Sequence, residues 1–292
     1  MRRILLFLGT NLAVLMVFGL VMNLLEPWLV AQGYNYNTAA ALIFAGLFGM
    51  GGALVSLLLS KRIALMSTKA QIIKEPKSQV ERWLVSTVER QAGQAGIGMP
   101  DVAIFPAAEP NAFATGASRN NALVAVSAGL LQHMQPNEVE AVLAHEVAHV
   151  ANGDMITMTL LQGVLNTFVL FLSRIIGQIV DRAVFRSNSG YGPGYFITVM
   201  VLQLVLGILA SFIVMAFSRW REYRADAGGA KLAGRNNMIA ALERLKQSHQ
   251  AAELPEAVEA FGIKGRASDG IKRLLMSHPP LDERIEALRR AA

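Results

Sequence analysis

His145-Glu146-Val147-Ala148-His149 is the most informative stretch of this 292-residue chain. Residues four positions apart lie on one face of a helix, so the two imidazoles can point at one metal ion. Zinc binds such a pair, and the glutamate after the first histidine then lies beside the metal, where it can take a proton from water. The stretch therefore predicts a helix with two zinc ligands, His145 and His149, and a general base, Glu146.

The residues before this stretch favour a helix. Pro136 suits a first helical position, and Glu138 and Glu140 suit the positive end of the helix dipole. The alternative is a surface helix that carries two histidines by chance. In this context we favour the zinc helix.

The composition indicates a membrane protein. Hydrophobic residues make up 53% of the chain and charged residues only 16%, whereas soluble domains carry about 25% charged residues. The net charge of +6 comes from basic residues that flank apolar stretches without alternating with aromatic residues, so we expect no nucleic-acid partner. The absence of cysteine excludes thiolate zinc sites and disulfides.

Four apolar stretches are long enough to be spanning helices, each of which needs about 20 residues. They cover residues 4–25, about 39–59, 155–180 and about 195–217. Arg174 interrupts the third stretch, so this arginine either reaches the outer surface or pairs within the bundle, or else the last two stretches form a shallow hairpin.

Basic residues predict the orientation of these helices. Arg2 and Arg3, then Lys61 and Arg62, and finally the arginines after the fourth stretch all fall on one side. The positive-inside rule then places both termini and residues 61–154 in the cytosol. The external loop with arginines at 182 and 186 fits this rule less well.

The sequence thus predicts an α+β membrane protein in four parts. Residues 1–60 form a transmembrane hairpin, residues 61–154 a cytosolic catalytic part, residues 155–217 a second apolar hairpin, and residues 218–292 a cytosolic helical part. Short apolar or alternating segments at residues 102–105, 112–115 and 123–126, separated by Pro, Asn and Gly, predict a small sheet in the catalytic part. Helical patterns predict helices at residues 78–94 of the catalytic part and at residues 237–247 and 281–290 of the last part. Residues 249–270 are expected to form a weakly structured connection.

A catalytic zinc usually has three protein ligands, and Glu222 is the best candidate for the third. His149 precedes the third apolar stretch and Glu222 follows the fourth, so an antiparallel pair of helices would bring them to the same cytosolic edge. Asp226 lies one turn after Glu222 and could hydrogen-bond a ligating histidine. The alternative, an ordinary charged helix beside the membrane, does not account for two acidic residues in a basic run.

The chain closely resembles the HtpX-like membrane zinc metallopeptidases, relatives of the prenyl-protein endopeptidases. Four stretches carry the resemblance: Asn111-Ala112-Phe113-Ala114-Thr115-Gly116, residues 145–154, Glu222 with Asp226, and Ser277-His278-Pro279-Pro280-Leu281-Asp282-Glu283-Arg284. The resemblance implies a mainly helical zincin-type domain that holds one Zn²⁺ per chain through His145, His149 and Glu222, with Glu146 as the base. It also implies membrane-protein quality control and stress response at the bacterial inner membrane, with cleavage on the cytosolic side.

Three other residues are candidates for the site. His278 could donate a hydrogen bond to the oxyanion formed on the scissile carbonyl, or it is simply a histidine at a loop–helix junction. Arg284 could pair with Asp226 or with a carboxylate near the zinc, or lie on a solvated helix face. Asn152 lies near the face of the two histidines and could orient a ligand or the substrate.

Asn111, Ala112, Phe113 and Ala114 could form an edge strand to which an extended substrate adds. The alternative is an ordinary core strand. Backbone pairing would give affinity without side-chain selectivity, as a quality-control protease requires.

These observations predict zinc-dependent hydrolysis of peptide bonds. The expected partners are the lipid bilayer and misfolded membrane proteins or other unfolded polypeptides. Two other classes are a metal-binding or transport protein with the same ligands, and a membrane scaffold that has lost catalysis. Glu146 argues against both, because neither needs a carboxylate placed as a general base. Prenyl-protein processing would require a larger membrane chamber than four spans provide.

Overall fold

The structure is a computed structural model that describes residues 43–187, 191–252 and 278–291, with five isolated positions between residues 16 and 31. The first predicted span, the loop that follows it, and most of the predicted connection at 249–270 therefore lie outside the described residues. In the described residues the elements are, in chain order, α1 (Ile43–Thr68), β1 (Gln71–Ile72), α2 (Gln79–Ala95), β2 (Asp101–Phe105), β3 (Ala112–Ser118), β4 (Asn121–Ser127), α3 (Ala128–His133), α4 (Pro136–Asn152), α5 (Asp154–Ala183), α6 (Pro193–Ala233), α7 (Arg235–Ala252) and α8 (Leu281–Arg290).

Helices α1, α5 and α6 are each long and apolar enough to cross a membrane. They correspond to the second, third and fourth predicted spans, so the mainly helical membrane fold with a small sheet is confirmed in the described residues. Helix α6 continues well beyond the predicted end at residue 217, as far as Ala233. Arginine is a good helix former, so the basic run after the apolar stretch changes the surroundings of the helix without ending it.

One unit of the fold consists of apolar helices, with residues 43–56 and 157–214. Arg174 lies within this bundle: its guanidinium stacks on the Phe44 ring at 3.7 Å, and it donates to the Tyr195 hydroxyl at 3.2 Å. Arg174 is therefore paired inside the bundle, which is one of the arrangements expected for it.

Asp181 of the same helix is fully buried and accepts hydrogen bonds from the backbone N–H groups of Gly192 and Tyr195, at 2.8 and 3.0 Å.

The second unit, formed by the described residues of 57–156 and 215–291, contains a four-stranded sheet in the order β1-β2-β4-β3. Strand β4 pairs in parallel with β2 and antiparallel with β3. Residues 122–127 of β4 are all buried, because this strand is central and covered on both faces. Strand β1 was not predicted, since two residues carry no periodic signal. Strand β3 lies at one edge of the sheet.

Helix α4 carries the two histidines and has defined ends. Pro136 occupies its first turn, and the Glu138 carboxylate accepts the backbone N–H of Gln135 at 2.8 Å in a capping box. The helix ends at Gly153, whose φ of +64° lies in the left-handed region that favours glycine. The chain therefore changes direction at this point, and a separate helix, α5, begins at Asp154.

Candidate metal centre

Three side chains from α4 and α6 converge in the second unit. The Nε2 atoms of His145 and His149 lie 3.1 Å apart, and Glu222 places Oε2 3.5 Å from the former and Oε1 3.3 Å from the latter. All three ligand atoms lie within 4.8 Å of one another. The helical spacing of four residues accounts for the two histidines, and α6 adds the carboxylate from a distant part of the sequence.

This arrangement fits a zinc ion. Zinc–nitrogen bonds of about 2.0–2.1 Å at tetrahedral angles place two ligating nitrogens about 3.3 Å apart, close to the observed 3.1 Å. Glu222 is only 1% exposed, and its Oε2 receives no hydrogen bond of favourable angle from the described residues. A buried carboxylate is costly unless its charge is balanced, and a cation held between it and the two histidines would balance it. The donor set is also one that zinc prefers.

Asp226 and Arg284 support the first histidine. The Asp226 carboxylate lies 3.0 Å from Nδ1 of His145, within hydrogen-bonding distance although the angle is unfavourable. Arg284 of α8 donates two hydrogen bonds to this carboxylate, at 2.8 and 2.6 Å, and its third nitrogen lies 3.2 Å from Glu222. All of these side chains are buried. Burial by itself lowers the pKa of Arg284, but Asp226 more than offsets this effect and raises it.

Asp154 supports the second histidine, a role that its place in the sequence did not predict. Its carboxylate lies 2.7 Å from Nδ1 of His149 and is 2% exposed. The available signal was an aspartate directly after the helix-ending Gly153. Burial by itself lowers the pKa of His149, but the contacts with Asp154 and Glu222 raise it to about 9. The pKa of His145 is raised too, since Asp226 and Glu222 outweigh its burial.

A cavity of about 550 Å³ opens beside this group. Glu146 lines it together with His145 and Glu222, and Glu146 is partly exposed, so water can reach its carboxylate. His278 also lines the cavity, with a side chain that is 62% exposed and Nδ1 2.9 Å from Glu222 Oε2. The structure therefore places the predicted base and the predicted oxyanion donor beside the three candidate ligands.

The other predicted residues lie at different distances from this cavity. Asn111 and Ala112 line it. Phe113 instead packs on Phe105. Ala114 packs against the main core, which is the cluster of buried side chains that includes Leu130 and Met238. Neither residue therefore belongs to the cavity wall formed by the described residues. Asn152 accepts a hydrogen bond from Arg224 at 3.3 Å and is likewise outside that wall.

Comparison with known proteins identifies relatives over almost the whole chain. Residues 78–292 match peptidase family M48. The chain is 56% identical over 291 residues to Protease HtpX of Thioalkalivibrio sulfidiphilus, and the matched region covers 99% of each of the two chains. It is 60% identical over 291 residues to Protease HtpX of Nitrosococcus oceani, covering 99% of this chain and 98% of the relative.

The fold is also similar to a solved structure. The crystal structure of Ste24p from S. mikatae matches with a TM-score of 0.62 at 18% identity and covers 98% of this chain. This chain spans 64% of the length of that protein. At this identity the likeness concerns the fold alone.

Proposed function

The chain belongs to peptidase family M48 and is a membrane metallopeptidase, and we propose that it is a zinc-dependent endopeptidase with Glu146 as the general base. The observation that carries the proposal is the buried group of His145, His149 and Glu222, with Glu146 beside it in an open cavity. M48 membership supports zinc as the metal. The three side chains would hold one Zn²⁺ per chain.

The proposed chemistry assigns a separate task to each side chain. Bound zinc would lower the pKa of a water molecule to about 7. Glu146 accepts the proton of the attacking water and returns it to the leaving amine. His278 donates a hydrogen bond to the scissile carbonyl oxygen as negative charge develops on it. Asp226 orients the His145 ring and Asp154 orients the His149 ring, in each case through the Nδ1 atom of the histidine.

We propose that the substrate binds as an extended strand at the edge of the sheet. Strand β3 is an edge strand, and Asn111 and Ala112, at its start, line the cavity that contains Glu146. A substrate strand that pairs with this edge gains main-chain hydrogen bonds whatever its side chains are. This mode suits unfolded polypeptides, including misfolded membrane proteins.

We further propose that the protein lies in the bacterial inner membrane with its active site in the cytosol. Two groups of basic residues support this orientation through the positive-inside rule: Lys61 and Arg62 after the apolar part of α1, and the arginines at 219, 221 and 224 around Glu222. A model polytopic substrate should be cut only in its cytosolic segments, as mapped by mass spectrometry of the fragments. Cuts concentrated in external loops would refute this placement.

Glu146→Gln tests the catalytic proposal. Glutamine keeps the shape of the side chain but cannot accept the proton, so casein cleavage by the purified protein in detergent should be abolished while zinc content is unchanged. Glu140→Gln is the matched control, because Glu140 lies on the same helix, pairs with Arg90 at 2.7 Å and does not line the cavity. Its activity should stay at the wild-type level.

Wild-type cleavage should also stop with a chelator and return with added zinc. Turnover by Glu146→Gln near the wild-type rate would contradict the general-base role, and cleavage by a fully chelated sample would contradict the metal mechanism.

A further inference from the structure

One end of the cavity beside Glu146 is apolar. Its floor consists of aliphatic side chains from four helices, α3, α4, α7 and α8, namely Leu130, Val142, Met238, Leu242, Leu245 and Leu281. Val142 precedes His145 by one turn of α4, so the floor and the candidate zinc ligand share a helix face. The apolar floor is therefore continuous with the groups proposed to do the chemistry.

The floor is formed by the packing of α7 against α4. Met238, Leu242 and Leu245 are spaced four and three residues apart, so they lie on one face of α7. Met238 and Leu242 are almost fully buried in the main core, while Leu245 is only partly buried. Core packing fixes the bottom of the floor, and a side chain that enters the cavity can reach Leu245.

The charged residues at this end of the cavity neutralise each other. Lys246 of α7 and Asp282 of α8 both line the cavity and form an ion pair at 2.5 Å. A charged substrate side chain that was buried against the aliphatic floor would lose hydration, and none of the six floor residues could pair with it. An aliphatic side chain has no such polar hydration to lose and would gain contact with the floor.

We propose that this floor is a specificity subsite that binds the aliphatic side chain of a substrate residue flanking the scissile bond. The inference rests on the proposed endopeptidase function and names the substrate class: unfolded polypeptide segments that contain Leu, Met, Ile or Val. Folded proteins keep these residues buried, whereas misfolded ones expose them. The edge strand gives general affinity, and the floor selects the position of the cut.

The test is a library of quenched fluorescent peptides in which the two residues on each side of the cleavage point vary. One methylene more or less in an apolar pocket changes kcat/KM by about 10–200-fold, so side chains that fill a subsite and those that do not should differ by at least this factor. We expect this preference for aliphatic over charged residues at one position flanking the cut. Leu245→Glu should reduce kcat/KM for the preferred aliphatic peptide about 10-fold or more and favour Lys or Arg at the same position.

Leu131→Glu is the matched control. Leu131 is partly buried against the same core but does not line the cavity, so this variant should keep the wild-type preference. Zinc content measured on both variants shows that the metal site is intact. An unchanged preference in Leu245→Glu, or an equal change in Leu131→Glu, would overturn the subsite.

A binding measurement separates the subsite from the catalytic proposal. The same peptides are titrated into zinc-loaded Glu146→Gln by fluorescence anisotropy. Aliphatic peptides that bind at least 10-fold more tightly than charged ones support the subsite even if the wild type cleaves none of them. Equal affinities for both peptide classes would refute it, whether or not the wild type is a protease.

Discussion

Replacing Asp154 by asparagine should weaken zinc binding without removing a ligand. The Asp154 carboxylate lies 2.7 Å from Nδ1 of His149 and is buried, so water does not screen its charge. Asparagine keeps an oxygen that can accept the ring N–H but loses the negative charge. His149 then becomes a weaker electron donor on its opposite nitrogen, Nε2, which faces the other candidate ligands.

The size of this effect follows from the hydrogen bond that is changed. A hydrogen bond to a charged group contributes about 1.5–3 kcal/mol and a neutral one about 0.5–1.5 kcal/mol. The difference of about 1–2 kcal/mol corresponds to zinc affinity that is about 5–30-fold lower. This overlaps the lower end of the range of roughly 10–100-fold that is typical of partners of metal-ligating histidines.

The pH at which affinity is measured changes the expected difference. Without metal, the pKa of His149 is raised to about 9, so at pH 7 zinc must displace a proton from it. Wild-type affinity should therefore rise by about tenfold per pH unit or more as the pH rises from 7 towards 9, because His145, whose pKa is also raised, releases a second proton. The Asp154→Asn substitution removes a main cause of the raised pKa, so its affinity levels off at a lower pH. The gap between the two proteins should accordingly widen as pH rises and reach the about 5–30-fold value near pH 9, where His149 loses its proton in both proteins.

Competition with a chromophoric zinc chelator at pH 7, 8 and 9, in detergent, measures these affinities. Asp181→Asn is the control, since Asp181 is an equally buried aspartate near the other end of α5 whose partners are the backbone N–H groups of Gly192 and Tyr195. Its zinc affinity should equal that of the wild type. Equal affinity of Asp154→Asn and wild type at pH 9, or an equal loss in Asp181→Asn, would refute the reasoning.

Four further substitutions, with one control, test the rest of the centre. Glu222→Ala should lose most of its zinc, while Asp226→Ala should keep more metal and lose activity, as judged by metal analysis; equal zinc in Glu222→Ala and wild type would remove Glu222 from the ligand set. Arg284→Met leaves two carboxylates buried and should cost the zinc-free protein about 3–5 kcal/mol in thermal stability, whereas Arg289→Met, at an exposed ion pair, should lower the free energy of unfolding by at most about 1 kcal/mol. His278→Ala should lower kcat by about 10²–10³-fold at unchanged zinc content; an unchanged kcat would remove the oxyanion role.

The fold was predictable where the signal is local and repeated. Apolar length predicted the three spans among the described residues, and alternation with turn residues predicted β2, β3 and β4. The true end of α6 was not predictable from apolar length, because the helix continues through charged residues to Ala233. The break at Gly153 did have a signal, a glycine followed by an aspartate, which is typical of a helix end followed by a new helix start.

The candidate site was predictable where helical spacing or the order of the apolar stretches brings its residues together. His145 and His149 come together through helical spacing alone, and the grouping with Glu222 followed from the order of the apolar stretches. The partner of Arg284 was only one of several possibilities, because Asp226 lies 58 residues away and no local rule connects them. Asp154 was missed because its contact depends on the turn at Gly153. The roles of all these residues stay predictions until the variants are made.

Charge balance connects these contacts to the choice of metal. The carboxylates of Glu222, Asp226 and Asp154 surround the two histidines, with Glu146 beside them, and two guanidinium groups offset part of this charge: Arg284 pairs with Asp226, and Arg221 lies near Asp154 and Glu222. Two negative charges remain in a buried site, where uncompensated charge is costly. Without metal, the two histidine rings supply positive charge by holding protons, because their pKa values are raised. A divalent cation supplies two positive charges and releases those protons. The site is therefore balanced for an ion of charge +2, which is a property of the whole set of contacts and not of the ligands alone.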